Sequence, residues 1–501
     1  MIIYLAYFIG NISYSDIDFE STLQVSAGLD SFNYNDWNYT GTAFLGYPSR
    51  QYILVALPSL LFGRNIYTLH IGYGYLFIIG LTLMFLEFRA WLKESGLDEQ
   101  IALIPVYWIV AFRFIAEYYM IFEQTIIPVC ITMMCIALFM RAYRKLDIAT
   151  AINLSWIGCL CSDSYAPAIA TLGLSQLFIV IYILKIKRDN HFSSESKKRL
   201  EQTNILKIKT IIGIEISITS FLVATLIVKR SDRIDNLRDS KNILKLAFTS
   251  WYEFFTDKNA VFFGIFSVII LVYMFTSLIG KLKLHDALIS VWTLGVVFSS
   301  TYIIGYTDYE KHWVIQRNMI IIPVLVTGIF IAFVNILKKY KISIPKLIQT
   351  AVLIILASIS IYHFNLEHQS FVYFKYVQPM KCMIDYSQKL VKNQGLNSQD
   401  EFNLVIITDN DLQHNITDYT TFFYLKAHAV ATSSESSDEC IQSLNENITT
   451  IIIGETKESV KKHCNKVGHI KYNNKRYKNT IDCYSGIIKN QNIEVKNHNK
   501  H

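Results

Sequence analysis

The chain has 501 residues, 52% of them hydrophobic, 14% aromatic and only 17% charged, with a mean hydropathy of +0.30. That composition argues against an ordinary soluble multidomain enzyme and for a polytopic α-helical membrane protein. The net charge of +7 is no argument for nucleic acid, because Lys and Arg gathered in short loops are what orients a membrane chain, and no basic stripe interleaved with aromatics stands outside the apolar runs.

Residues 1–10, MIIYLAYFIG, are too short to span comfortably and lack the basic leader and small-residue cleavage site of a signal peptide. A short first helix or a partly interfacial segment is expected there. Next comes YSDIDFEST, with Asp16, Asp18 and Glu20 in five positions. Clustered carboxylates raise one another's pKa, a cost usually kept where they serve acid/base or cation-binding work, although solvated loops carry such clusters too. Residues 51–62, QYILVALPSLLF, are apolar but stop at Gly63, which suits a helix lying at the membrane interface.

Roughly ten runs then approach the length needed to cross a bilayer. They lie near 66–88, 101–119, 122–141, 148–162, 165–185, 208–228, 260–280, 286–305, 318–337 and 347–364. RAWLK (89–93), RAYRK (141–145), KIKRD (185–189) with 197–209, KLK (281–283) and KKYK (338–341) fall at every second connection, so these loops are expected on the cytoplasmic side. The large first loop (14–65), the loop 229–259, the turn TDYEKHWVIQR (307–317) and the tail are then outside. Among isolated polar residues, Arg113 and Glu117 are four apart and read as an ion pair that Glu123 could join. Asp163 reads as a turn residue, and His70 and Glu87 as residues at the ends of the second span.

Residues 366–501 have no membrane-length apolar run. FNLVIIT (402–408) and ITTIIIG (448–454) read as buried strands and ETKESVKKHC (455–464) as a helix, which predicts a small α/β domain following a membrane domain over 1–365. Of the eight cysteines, Cys382, Cys440, Cys464 and Cys483 lie in this tail. They can form two disulfides in an oxidising compartment or remain free thiols.

The order of these features resembles the GT-C membrane glycosyltransferases, in particular the aminoarabinose transferase and protein O-mannosyltransferase group. The likeness is carried by Asp18 and Glu20 in the first outer loop, Tyr47-Pro48, Leu61-Phe62-Gly63, Thr68-Leu69-His70, and KHWVIQRNMIIIPVLVTGIF (311–330) with Arg317 and Pro323. The acidic pair is split by Phe19, Asn318 replaces the usual aromatic after the arginine, and Ser49-Arg50 replaces a Pro-rich continuation. The resemblance implies a GT-C-like fold of about eleven spans with an extracytoplasmic C-terminal domain. It also implies transfer of a sugar from a polyprenyl-phosphate carrier to a glycan, lipid or protein acceptor at the outer face. Asp18 is then the expected base, with Asp16 and Glu20 in reserve. Arg317, His312, Lys311 and Arg50 are the cations for the donor phosphate. No cofactor is required; the acidic cluster offers carboxylates to a divalent metal, but no ligand set demands one. An Ile-, Asn- and Lys-rich vocabulary points to a microbial chain and a bacterial inner membrane. The rival readings are a multi-span transporter, which usually shows internal repeats and polar mid-membrane residues, and a non-catalytic envelope protein with an outer binding domain.

Overall fold

The computed structural model describes residues 53–64, 66–112, 126–145, 321–370, 386–396, 400–409, 428–444, 448–474 and 479–488, with residues 29, 245, 249, 293–295 and 383. Two compact units divide them. One holds Val55–Ile71 with the described parts of Met1–Phe44 and His368–His501, and the other the described parts of Leu45–Leu54 and Gly72–Glu367.

The helices that precede the sheet include α1 (Ile53–Phe62), α2 (Ile66–Glu94), α3 (Leu103–Ala111), α4 (Ile126–Lys145), α5 (Ile322–Tyr340) and α6 (Lys346–Ser370). α2 and α6 contain stretches, Gly74–Glu94 and Lys346–His363, that are long and apolar enough to cross a membrane by length and composition. At about 1.5 Å per residue, the 29 residues of α2 are longer than a bilayer's hydrocarbon thickness. α2, α4, α5 and α6 each start within a few residues of an expected run, and α2, α4 and α5 continue through the basic residues that follow, RAWLK, RAYRK and KKY. The expected runs at 148–162, 165–185, 208–228 and 260–280 lie outside the described residues.

α6 has its polarity reversed relative to a helix in water. Gln349, Ser360 and His363 are buried, whereas Leu347 is 82% exposed and Ile348, Ile354, Ile355 and Tyr362 are also exposed. A helix surrounded by water hides its apolar side. Of the buried polar groups, Ser360 Oγ donates to Leu356 O at 2.9 Å and Gln349 Nε2 to Ile344 O at 2.9 Å, while Gln349 Oε1 has no hydrogen-bond partner among the described residues. His363 Nδ1–H donates to Ala111 O at 2.8 Å. Ala111 ends α3 because Phe112 turns extended (ψ 129°), so the imidazole takes up a carbonyl released by that break. The break falls inside the expected run 101–119 and shortens its helix.

The helices meet through aromatic and glycine contacts. Phe88 and Trp91 of α2 pack edge-on against Phe330 of α5 at centroid distances of 5.0 and 6.3 Å. Gly328 of α5 lies against buried Thr293, and a Cβ at position 328 would fall 2.2 Å from Thr293 Oγ1. Only glycine permits that approach.

The tail folds around a five-stranded sheet: β1 (Asn403–Ile407), β2 (His428–Thr432), β3 (Thr450–Gly454), β4 (Gly468–Asn474) and β5 (Asn479–Ile488), in the order β2-β1-β3-β5-β4. β1 pairs parallel with β2 and β3, and β5 antiparallel with β3 and β4. The runs Asn403-Leu-Val-Ile-Ile and Thr450-Ile-Ile-Ile-Gly are buried throughout, as central strands covered on both faces must be. Short helices α7 (Ser437–Gln442) and α8 (Lys457–Lys461) follow β2 and β3. Val405, Ile407, Ile452, Val460 and Cys464 form the core on one side.

Candidate functional site

The seven residues expected to carry chemistry, Asp16, Asp18, Glu20, Arg50, Lys311, His312 and Arg317, lie outside the described residues, as do Arg113, Glu117, Glu123 and Asp163. What the structure describes is the framework on either side of them in the chain. Downstream of the acidic loop, α1 ends at Phe62 and Gly63 adopts φ +84°, a left-handed backbone that glycine takes at little cost. Thr68 Oγ1, one turn into α2, donates to Gly63 O at 2.8 Å and accepts from Ser59 Oγ at 3.2 Å. Leu61-Phe62-Gly63 and Thr68 are therefore two sides of one hydrogen-bonded corner. In the other unit, Tyr75 Oη donates to Leu54 O at 2.6 Å. Downstream of Arg317, α5 begins at Ile322-Pro323, with proline in its first turn, where a missing N–H costs nothing.

Glu87, expected to sit at the end of a span, is an ion-pair partner. Arg144 of α4 reaches Glu87 at 2.8 Å and also pairs with Glu94, one heptad along the same face of α2. The arginine side chain is only 9% exposed, so removing one glutamate would leave part of a buried charge uncompensated. This is a structural clamp between α2 and α4, not a reactive site.

In the tail, polar groups gather where the parallel strands end. Thr408 Oγ1 donates to Glu455 Oε1 at 2.6 Å, and Asp409 accepts from the N–H and Oγ of Ser434 at 2.8 and 2.9 Å. Ser437, His463 and Asp438 have the residue types of a hydrolytic triad but not its chemistry. Ser437 is 1% exposed and its Oγ donates to Ser434 O at 2.9 Å. It therefore accepts from His463 Nε2–H at 3.1 Å, which leaves the neutral imidazole no proton on Nδ1 to offer Asp438 at 3.6 Å. A catalytic histidine needs the opposite tautomer. No sequence signal identified this node, because its members come from separate elements.

The tail cysteines follow neither of the two alternatives left open by the sequence. Cys440 and Cys464 are free, and Cys483 is disulfide-bonded, to a partner outside the described residues. Two disulfides among the four tail cysteines are thus excluded. Burial pushes the Cys464 thiol up to about 11 and raises that of Cys440, which leaves both as unreactive packing groups. Among the described residues, no three His, Cys, Asp or Glu are grouped to hold a metal ion.

No family model and no curated protein matches the chain. Two solved structures of ArnT from Cupriavidus metallidurans are similar to it over 96% of this chain and 97% of theirs. The apo form is 10% identical with a TM-score of 0.47, and the form bound to undecaprenyl phosphate is 11% identical with a TM-score of 0.48.

Proposed function

We propose that the protein is an integral membrane glycosyltransferase that moves a sugar from a polyprenyl-phosphate carrier to an acceptor at the outer face of the membrane. The observation that carries this reading is the way helices follow the two candidate clusters in the chain. The carboxylates of 16–20 precede a short apolar helix, a glycine corner and a long apolar helix, and Arg317 precedes by five positions the first residue of α5, buried for most of its length. Each cluster would then lie near headgroup depth, where a lipid phosphate sits. The disulfide at Cys483 supports an oxidising compartment for the tail, in agreement with the alternation of basic loops.

In this mechanism an acceptor hydroxyl or amine attacks the anomeric carbon while its proton passes to Asp18. The bond from that carbon to the phosphate oxygen breaks, and the polyprenyl phosphate departs with the electron pair. Arg317 holds two phosphate oxygens through parallel N–H donors, and His312, Lys311 and Arg50 add positive charge. Purified membranes supplied with a radiolabelled polyprenyl-phosphate sugar should show label transfer. Asp18→Asn should reduce it by about 10²- to 10⁴-fold while leaving donor binding unchanged. Loss in Asp16→Asn instead moves the base within the cluster; full activity in both variants refutes the mechanism.

A further inference from the structure

The turn between α5 and α6 carries a backbone that its sequence does not favour. Lys341 is the only non-glycine residue with positive φ among the described residues, at φ 52° and ψ 39°. It caps α5, its own N–H reaching Lys338 O at 3.3 Å and the N–H of Ile342 reaching Leu337 O at 2.9 Å. Glycine is the usual occupant of this capping position because a Cβ is penalised there. A lysine at this left-handed position directs attention to what its side chain does.

Its surroundings indicate the use. Lys338 Nζ sits 5.1 Å from the centroid of Trp91, and Lys346 opens α6. Gln349 Nε2 reaches Asp98 Oδ2 at 3.3 Å, which brings the start of α6 beside the α2–α3 connection that follows exposed Lys93. The neighbouring arginines are occupied, Arg89 by Glu99 at 2.5 Å and Arg144 by Glu87 and Glu94. Lys93, Lys338, Lys341 and Lys346 are exposed, and among the described residues none of them has a carboxylate partner. Between and beside them stand exposed Ile342 and Leu347.

We propose that this turn is a binding site for the headgroup of an anionic phospholipid. Its lysines would meet the phosphodiester, Trp91 would lie at headgroup depth, and Ile342 and Leu347 would face the upper acyl chains. An acidic protein or a nucleic acid would satisfy the lysines but leave those two side chains against polar surface. The proposal rests on α5 and α6 lying in a bilayer; it does not depend on sugar transfer or on which leaflet the turn faces.

The test uses the full chain in nanodiscs of equal phosphatidylcholine and phosphatidylglycerol, moved into mild detergent, with co-purifying lipids quantified. The wild type should retain phosphatidylglycerol above its bulk share. Lys341→Gly should lower the retained phosphatidylglycerol-to-phosphatidylcholine ratio by up to about fivefold while melting no lower than wild type, since glycine suits the backbone, and Lys341→Arg should keep it. Lys338→Gln/Lys341→Gly/Lys346→Gln should bring retention to the bulk ratio. Lys457→Gln/Lys461→Gln/Lys466→Gln, which removes the same charge from the tail, should not. No enrichment in wild type, unchanged retention in the turn variant, or equal loss in the tail variant would overturn the site. The readout is lipid, so absence of transferase activity leaves this result standing.

Discussion

His463 has one ring nitrogen bonded to Ser437 and the other facing Asp438. Burial lowers its pKa, against the pull of Asp438, and Lys462 lowers it further. The folded tail thus prefers the neutral ring, so this contribution to stability is complete above the ordinary histidine value of about 6.5 and declines as pH falls below it. Chemical denaturation of the tail should show a midpoint that drops on acidification, with a shallower drop in His463→Asn; equal pH slopes would remove His463 as the cause. At the proposed donor site the test of geometry is Arg317→Lys. It keeps the charge but loses the paired N–H donors, so donor affinity should fall by about tenfold or more, and unchanged binding would reduce Arg317 to an interfacial cation.

Helices were legible in the sequence from apolar length alone, and their starts fall close to expectation. Their ends were less so, because Arg, Lys and Tyr after an apolar run read as a loop, whereas α4 continues through Arg141 and Arg144 and α5 through Lys338. Long basic side chains allow this by reaching sideways to water. β1 and β3 were legible as isoleucine- and valine-rich runs. β2, His428-Ala-Val-Ala-Thr, and the β4–β5 hairpin were not, since their small or polar residues follow no apolar pattern and their pairing is set by the sheet. The corner at Gly63 was anticipated as a break but not as a hydrogen-bonded one, and the catalytic candidates remain readings of sequence. The α5 crossing at Gly328 supplies a further check. Gly328→Ala should cost about 1–3 kcal/mol by thermal denaturation in nanodiscs, and adding Thr293→Ala should recover part of the loss.

Across the whole molecule, the proposed topology and the redox state of the tail must agree. If the tail is outside, a membrane-impermeant thiol reagent should label Lys461→Cys, at an exposed position of the tail, in intact cells; labelling only after permeabilisation would invert the orientation and relocate the proposed site. The reversed polarity of α6 has a consequence for biogenesis. Its buried His363 and Gln349 find partners at Ala111 and Asp98, which are synthesised some 250 residues earlier. Inserted by itself, α6 would carry these polar groups into hydrocarbon without their long-range partners, at a cost of several kcal/mol by the usual transfer values. On the proposed membrane placement, α6 is then expected to settle only after the α2–α3 region has presented its carbonyl and carboxylate, which makes it a closing piece of assembly.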